Sequence, residues 1–185
     1  QEGERPAYRW NWSAPLLISP HDPRTLYFAA NVVFRSPDRG DSWQVISPDL
    51  TRGISRDSLP LQGRIQPAGA IDLHASTALY GNVSTLAVSP ARPGLVAAGT
   101  DDGLVQVTRD DGASWQRTSR FPGVPEMTKV SMVAWSATRE ATLFATFDGH
   151  KDNIFRPFVV RSDDHGATWR DVTGDLPPFG PALSV

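Results

Sequence analysis

Ser36-Pro37-Asp38-Arg39-Gly40-Asp41-Ser42-Trp43 returns as Thr108-Arg109-Asp110-Asp111-Gly112-Ala113-Ser114-Trp115, and again as Ser162-Asp163-Asp164-His165-Gly166-Ala167-Thr168-Trp169. All three fit the form S/T-x-D-x-G-x-S/T-W, and Asp38, Asp110 and Asp164 lie 72 and then 54 residues apart. A phrase repeated at such intervals marks a repeat architecture. Val33-Phe34-Arg35, Val105-Gln106-Val107 and Phe158-Val159-Val160 lead into it, and Trp43-Gln44-Val45-Ile46, Trp115-Gln116-Arg117 and Trp169-Arg170-Asp171-Val172 lead out. These short runs read as strands on either side of a hairpin loop. Within the loop an Asp carboxylate can take N–H groups of its own turn, a hydroxyl can bond the same backbone, and Gly supplies a positive φ. Trp closes the phrase with a ring large enough to bury against a neighbouring hairpin, its indole N–H free to find an acceptor. Every position therefore has a folding role, which takes precedence over calcium binding or catalysis by these aspartates.

The text upstream of each phrase extends the repeat. Leu16-Leu17-Ile18-Ser19-Pro20, Leu86-Ala87-Val88-Ser89-Pro90 and Met132-Val133-Ala134-Trp135-Ser136 each precede a polar turn. Leu26-Tyr27-Phe28-Ala29-Ala30, Leu95-Val96-Ala97-Ala98-Gly99 and Thr142-Leu143-Phe144-Ala145-Thr146 follow those turns. From the strand-ending Ser to the Asp of the phrase the distances are 19, 21 and 28 residues, the third lengthened by Asp148-Gly149-His150-Lys151-Asp152-Asn153. Each unit thus holds four short up-down strands, and such units in series are blades of a β-propeller. The expected class is all-β, a propeller segment of three four-stranded antiparallel blades in an incomplete ring. The blades fall at 14–47, 84–118 and 130–173, with an inter-blade insertion at 48–83 and the opening strand of a further blade at 181–185. The outer faces of such a wedge should carry apolar side chains that neighbouring blades would cover.

Composition fits an ordinary globular domain. With 185 residues, 39% hydrophobic and 21% charged, the chain can bury one substantial core. A net charge of −2 makes no electrostatic case for nucleic acid or an anionic membrane. No apolar run approaches the length of a transmembrane helix. Cysteine is absent, which removes disulfide and thiol chemistry. Of 18 basic residues only Lys129 and Lys151 are lysine.

The repeated phrase resembles the Asp-box of the bacterial neuraminidase repeat (BNR), found in sialidase-, xyloglucanase- and sortilin-type propellers. Tyr8-Arg9-Trp10-Asn11-Trp12, the run Phe34 to Leu50 and the run Gly99 to Gly112 are similar to large bacterial glycosyl-hydrolase-like or sortilin-like BNR-repeat proteins. The likeness covers residues 8 to about 180. It implies an exported protein whose partners include the remaining blades of a larger propeller. In this family the Asp-box hairpins, with Ser36, Asp38, Gly40 and Trp43 and their counterparts Thr108, Asp110, Gly112, Trp115, Ser162, Asp164, Gly166 and Trp169, lie opposite the ligand face. That face is built from the loops between second and third strands and from the links between blades.

This placement selects Ala30-Asn31, Thr100-Asp101-Asp102-Gly103 and the 148–153 insertion, together with the links 47–83 and 119–129. Asp101, Asp102, Asp148, His150 and Asp152 would then meet on one rim, with Arg64 and His74 contributed by the long link. Paired carboxylates such as Asp148 and Asp152 can act as acid and base in glycoside hydrolysis when their separation suits. The competing reading is that Asp-Gly here is turn chemistry. The long link either arches over the ligand face or forms a partly ordered insertion, with Pro60, Gly63, Pro67 and Gly69 breaking regular structure.

Sialidase chemistry is not supported. The resemblance would require an arginine triad, a Tyr–Glu pair and a separate Asp acid, but Tyr occurs only at 8, 27 and 80 and Glu only at 2, 4, 126 and 140. His21, His74, His150 and His165 show no metal-ligand spacing, and neither a metal nor a cofactor is expected. His165 falls inside a hairpin turn and is expected in solvent. Two functions stay open: a protein- or glycan-binding scaffold, or one part of a glycoside hydrolase whose acid and base come from several blades.

Overall fold

The computed structural model describes residues 8–61, 63–71 and 79–183. Three four-stranded antiparallel sheets follow one another, each a meander in which strands adjacent in sequence are paired in space. The first sheet holds β1 (Leu16–Ile18), β2 (Leu26–Ala29), β3 (Val33–Ser36) and β4 (Gln44–Val45). A two-stranded ribbon, β5 (Pro60–Leu61) and β6 (Arg64–Ile65), follows in the long link. The second sheet holds β7 (Val83–Val88), β8 (Val96–Thr100), β9 (Val105–Thr108) and β10 (Gln116–Thr118). The third holds β11 (Lys129–Trp135), β12 (Leu143–Gly149), β13 (Ile154–Ser162) and β14 (Arg170–Asp171).

The first strands pack side by side, with β7 in contact with both β1 and β11. Alternation along each strand decides what the sheets bury. In the second sheet Val96 and Ala98 enter one core with Tyr27, Ala29 and Val33 of the first sheet, while Leu95, Ala97, Val105 and Val107 enter another with Val133, Leu143, Ala145 and Val160 of the third. Both faces of the middle sheet are therefore covered, and β8 and β9 are buried along their whole length. Each outer sheet meets another blade sheet on one face only, and Tyr8 and Trp10 pack on part of the far face of the first. Register places Leu16, Phe28, Phe34 and Val45 in one row on the far face of the first sheet. Leu16 and Val45 are 60% and 46% exposed, and Trp10 stacks on Phe34 at 5.5 Å.

The repeated turns have one geometry written three times. Ser36 Oγ donates to Asp38 Oδ1 at 2.8 Å and accepts the Gly40 N–H at 2.7 Å, while Asp38 accepts Ser42 N–H at 2.9 Å and Ser42 Oγ–H at 2.6 Å. The Thr108 turn gives 2.8, 2.8, 2.9 and 2.5 Å for the same bonds, and the Ser162 turn 2.7, 2.8, 2.8 and 2.5 Å. Positive φ is shared by two positions of each turn: Gly40, Gly112 and Gly166 reach 103°, 98° and 86°, and Arg39, Asp111 and His165 just before them reach 66°, 59° and 60°. Gly112 has a second constraint, because a Cβ there would run into the Ile46 backbone of the preceding sheet.

Several expectations change. Trp115 behaves as expected, its indole N–H donating across to Ile46 O of the preceding sheet at 3.0 Å. Trp169 instead bonds Gly166 O in its own turn and packs on Phe121. Trp43 is 40% exposed, with its ring 6.1 Å from that of Phe28 in its own sheet. The 148–153 segment is less an insertion than a longer hairpin: Asp148 and Gly149 belong to β12, and only a 3-10 turn at His150–Asp152 and Asn153 lie before β13. The 48–83 link, expected to lack regular structure, contains the β5–β6 ribbon and a 3-10 turn at Arg56–Ser58, and it seats Leu50 fully buried in the first core. His165 is not in open solvent. Its side chain is 20% exposed and its ring lies 6.3 Å from that of Trp135.

Candidate functional site

In an up-down sheet the first and third turns share one end, and the second turn shares the other end with the links that enter the first strand. The repeated turns occupy the former end. At the latter, between the second and third sheets, lies a cavity of about 450 Å³. The end of β12 contributes Asp148, the turn after it His150, Lys151 and Asp152, the β8–β9 turn Asp101, and β11 and the link before it Lys129, Glu126 and Met127. Leu59, Pro60 and Leu79 of the long link form an apolar wall. A recess of about 70 Å³, lined by Asn11, Ser13, Asn82 and Ser84, adjoins it and shares Asp101, Lys129 and Lys151 with it.

The cavity floor is fixed by backbone. Gly103, at φ 80°, lets the β8–β9 turn close on the chain before β11: a Cβ there would sit 2.8 Å from Met127 Cα and 3.0 Å from Thr128 O. Asp101 is 6% exposed and clamps the entry to β7, accepting the N–H groups of Tyr80, Gly81 and Asn82 at 2.8, 3.2 and 2.9 Å. Burial pushes its carboxyl above the ordinary range against these three donors. Asp102 turns the other way: its Oδ2 accepts Arg52 N–H at 2.7 Å, its Oδ1 accepts the Thr100 hydroxyl at 2.6 Å, and its carbonyl accepts Arg52 Nε–H. Thr100 Oγ1 also accepts Leu104 N–H at 2.9 Å, so the β8–β9 turn repeats the bonds of the first hydroxyl in the repeated turns, while its Asp102 takes Arg52 N–H in place of a donor from its own loop. Both aspartates are structural clamps.

Asp148 and His150 form a pair. Asp148 has a 6% exposed side chain, and His150 Nδ1 lies 2.7 Å from each of its carboxylate oxygens while the ring is 51% exposed. His150 N–H also donates to Asp148 Oδ1 at 3.1 Å. The carboxylate thereby holds the proton on Nδ1 and leaves Nε2 free, the orienting half of a general base. Among the described residues no Ser or Thr lines the larger cavity beside it. The side chains of Asp152, Lys129 and Lys151 make no hydrogen bond or ion pair among the described residues, whereas Glu126 pairs with Arg120 at 2.8 Å.

Of the residues singled out in the sequence, Asp101, Asp148, His150 and Asp152 line this one cavity. Asp102 faces Arg52, Arg64 lies exposed on β6 away from the lining, and His74 lies outside the described residues. Lys129, Lys151, Glu126 and Asn82 were not singled out, although the scarcity of lysine marked two of them. Asn82 is 2% exposed, and its Oδ1 has no partner among the described residues. No group of three or more His, Cys, Asp or Glu among the described residues could hold a metal ion, and no helix among them is long and apolar enough to cross a membrane.

No protein-family model matches the chain, and no curated protein matches it in sequence. Among solved structures, an ancestral GH74 enzyme is similar with a TM-score of 0.58 at 16% identity, over 91% of this chain and 19% of that one. The GH74 enzyme of Niastella koreensis gives 0.52 at 16% identity, over 88% of this chain and 23% of that one. YCF48 from Cyanidioschyzon merolae gives 0.51 at 11% identity, over 86% and 37%. The chain thus spans between a fifth and two fifths of the length of these structures. At these identities the likeness carries the fold, a β-propeller type in which the three sheets are blades.

Proposed function

We propose that the chain is part of an Asp-box (BNR) repeat propeller that works as a protein- or glycan-binding scaffold, with its ligand face at the end opposite the repeated turns. The single observation behind this reading is the cavity between the second and third blades. Four separate segments of chain converge there, and three charged side chains are left without partners, while the carboxylates of the repeated turns are fully used within their own loops. Such a concave site with a few convergent polar groups is the usual form of a binding site. The remaining blades of the propeller are partners in this account. The bond from Ser131 Oγ–H to Ala182 O at 2.7 Å repeats that from Ser84 Oγ–H to Val130 O at 2.7 Å, which supports reading 181–185 as the start of a further blade.

A glycoside hydrolase component is the second reading, favoured by Asp148 and Asp152 lining one cavity. The commitment of Asp148 to His150 counts against its service as acid or base. A panel of glycans and peptides, screened for binding and for turnover, separates the two. Binding without turnover, weakened in Asp152→Asn and Lys151→Gln, is expected. Turnover abolished by Asp148→Asn or Asp152→Asn in folded protein would replace the scaffold reading by the enzyme, and no binding on any array would remove it.

A further inference from the structure

Both lysines of the chain, Lys129 and Lys151, line the cavity and the adjoining recess, and neither has a partner among the described residues. Asn82 lines the same recess with 2% of its surface exposed and an Oδ1 that no donor among the described residues reaches. A buried acceptor without a donor carries a desolvation penalty that a ligand hydroxyl or N–H would relieve. The charged lining also offers acceptors: Asp152 is unpartnered among the described residues, and Asp148 and Glu126, paired with His150 and Arg120, line the same cavity. The site therefore suits a ligand with one carboxylate for the two ammonium groups and several hydroxyl donors for the oxygens. A peptide supplies about one backbone N–H per residue, whereas a sugar ring supplies two or three hydroxyls.

On this basis, which rests on the scaffold reading above, we propose that the recess and cavity bind a uronate residue of an acidic glycan, its carboxylate between Lys129 and Lys151 and a ring hydroxyl donating to Asn82 Oδ1. The apolar wall of Leu59, Pro60 and Leu79 would take the C–H face of a neighbouring ring.

Calorimetric titration of the purified protein with trimers of galacturonate, glucuronate and mannuronate, each beside its methyl ester, tests the assignment. A peptide ending in a free carboxylate serves as a further arm. At least one free-acid trimer should bind, with its ester weaker by roughly tenfold or more, as expected for loss of a charge-assisted bond. Lys129→Gln and Lys151→Gln should each bring the acid down towards its ester, and Asn82→Ala should weaken acid and ester alike. Thermal melting checks that the variants fold, and unchanged ester affinity in the lysine variants serves where one is destabilised. Acid and ester binding equally well would overturn the carboxylate assignment while leaving a glycan-binding scaffold in place. Binding of the peptide alone would overturn the glycan class, and no binding in any arm would count against both this inference and the scaffold reading.

Discussion

Thr108 Oγ1 does two jobs at once: it accepts the Gly112 N–H and donates to Asp110, both at 2.8 Å, from a position with no solvent exposure. Thr108→Val keeps the shape and leaves that N–H without its acceptor, so urea unfolding should register a loss of about 1–3 kcal/mol. The carboxylates of these turns make a further prediction. Hydroxyl and backbone donors of Ser42, Ser114 and Thr168 hold Asp38, Asp110 and Asp164 at about 2, below the ordinary 3.8. A carboxyl lowered in the folded state stabilises above its unfolded value and loses that contribution as pH falls through the folded one. The melting temperature should therefore fall as pH drops from about 4 towards about 2, and the fall should be smaller in Asp110→Asn. An equal fall in that variant would mean that the turn carboxylates do not set acid stability. The residue scale was the most legible in sequence, because the Ser or Thr, Asp and closing hydroxyl of the repeated phrase bond within their own loop. The turn of Thr100 to Leu104 was not, since only the bonds of the first hydroxyl are made there and the final hydroxyl and Trp are missing from its sequence.

Strands and turns join into one body through contacts between sheets, and these are the features a single sequence conceals. Gly99 lies mid-strand in β8, where a Cβ would stand 2.5 Å from Val130 Cγ1 and 2.7 Å from Thr85 Cγ2. Gly99→Ala should therefore destabilise by about 1–3 kcal/mol through overpacking between the second and third blades. Trp135 is 8% exposed and donates its indole N–H to Ala87 O at 3.3 Å across the same boundary. Trp135→Ala should cost about 3–5 kcal/mol in chemical denaturation; a cost under about 1 kcal/mol would show that the boundary is loose. Twelve blade strands follow from apolar runs and turn signals. Arg9 does not: it donates to Gly81 O at 2.8 Å and Thr51 Oγ1 at 2.8 Å and pairs with Asp49 at 2.6 Å, residues 40 or more positions away. The pairing of His150 with Asp148 was equally hidden, because reading 148–153 as a loop left out the strand that points Asp148 inward.

At the scale of the whole molecule, two half-covered sheets flank one that is buried on both faces. Leu16, Ile18 and Val45 on the first blade are 60%, 65% and 46% exposed, and Phe179 and Leu183 beyond the third blade are 86% and 60% exposed. Apolar faces of this kind promote association. Light scattering should show the chain's apparent mass rising with concentration, and Leu16→Lys with Ile18→Lys should reduce the rise without lowering the melting temperature. The arrangement itself rests on turns and strands of one blade bonding to the backbone of the blade before, and two indole groups report on it: Trp115 on Ile46 O and Trp135 on Ala87 O. Proton exchange and cross-peaks of the six indole N–H groups in NMR spectra test this most directly, with Trp12, 94% exposed, as the internal reference. Slow exchange at Trp115 and Trp135, with contacts to residues 46–47 and 87–88, is the predicted result. Exchange at both as fast as at Trp12, with no contact across the sheets, would contradict it.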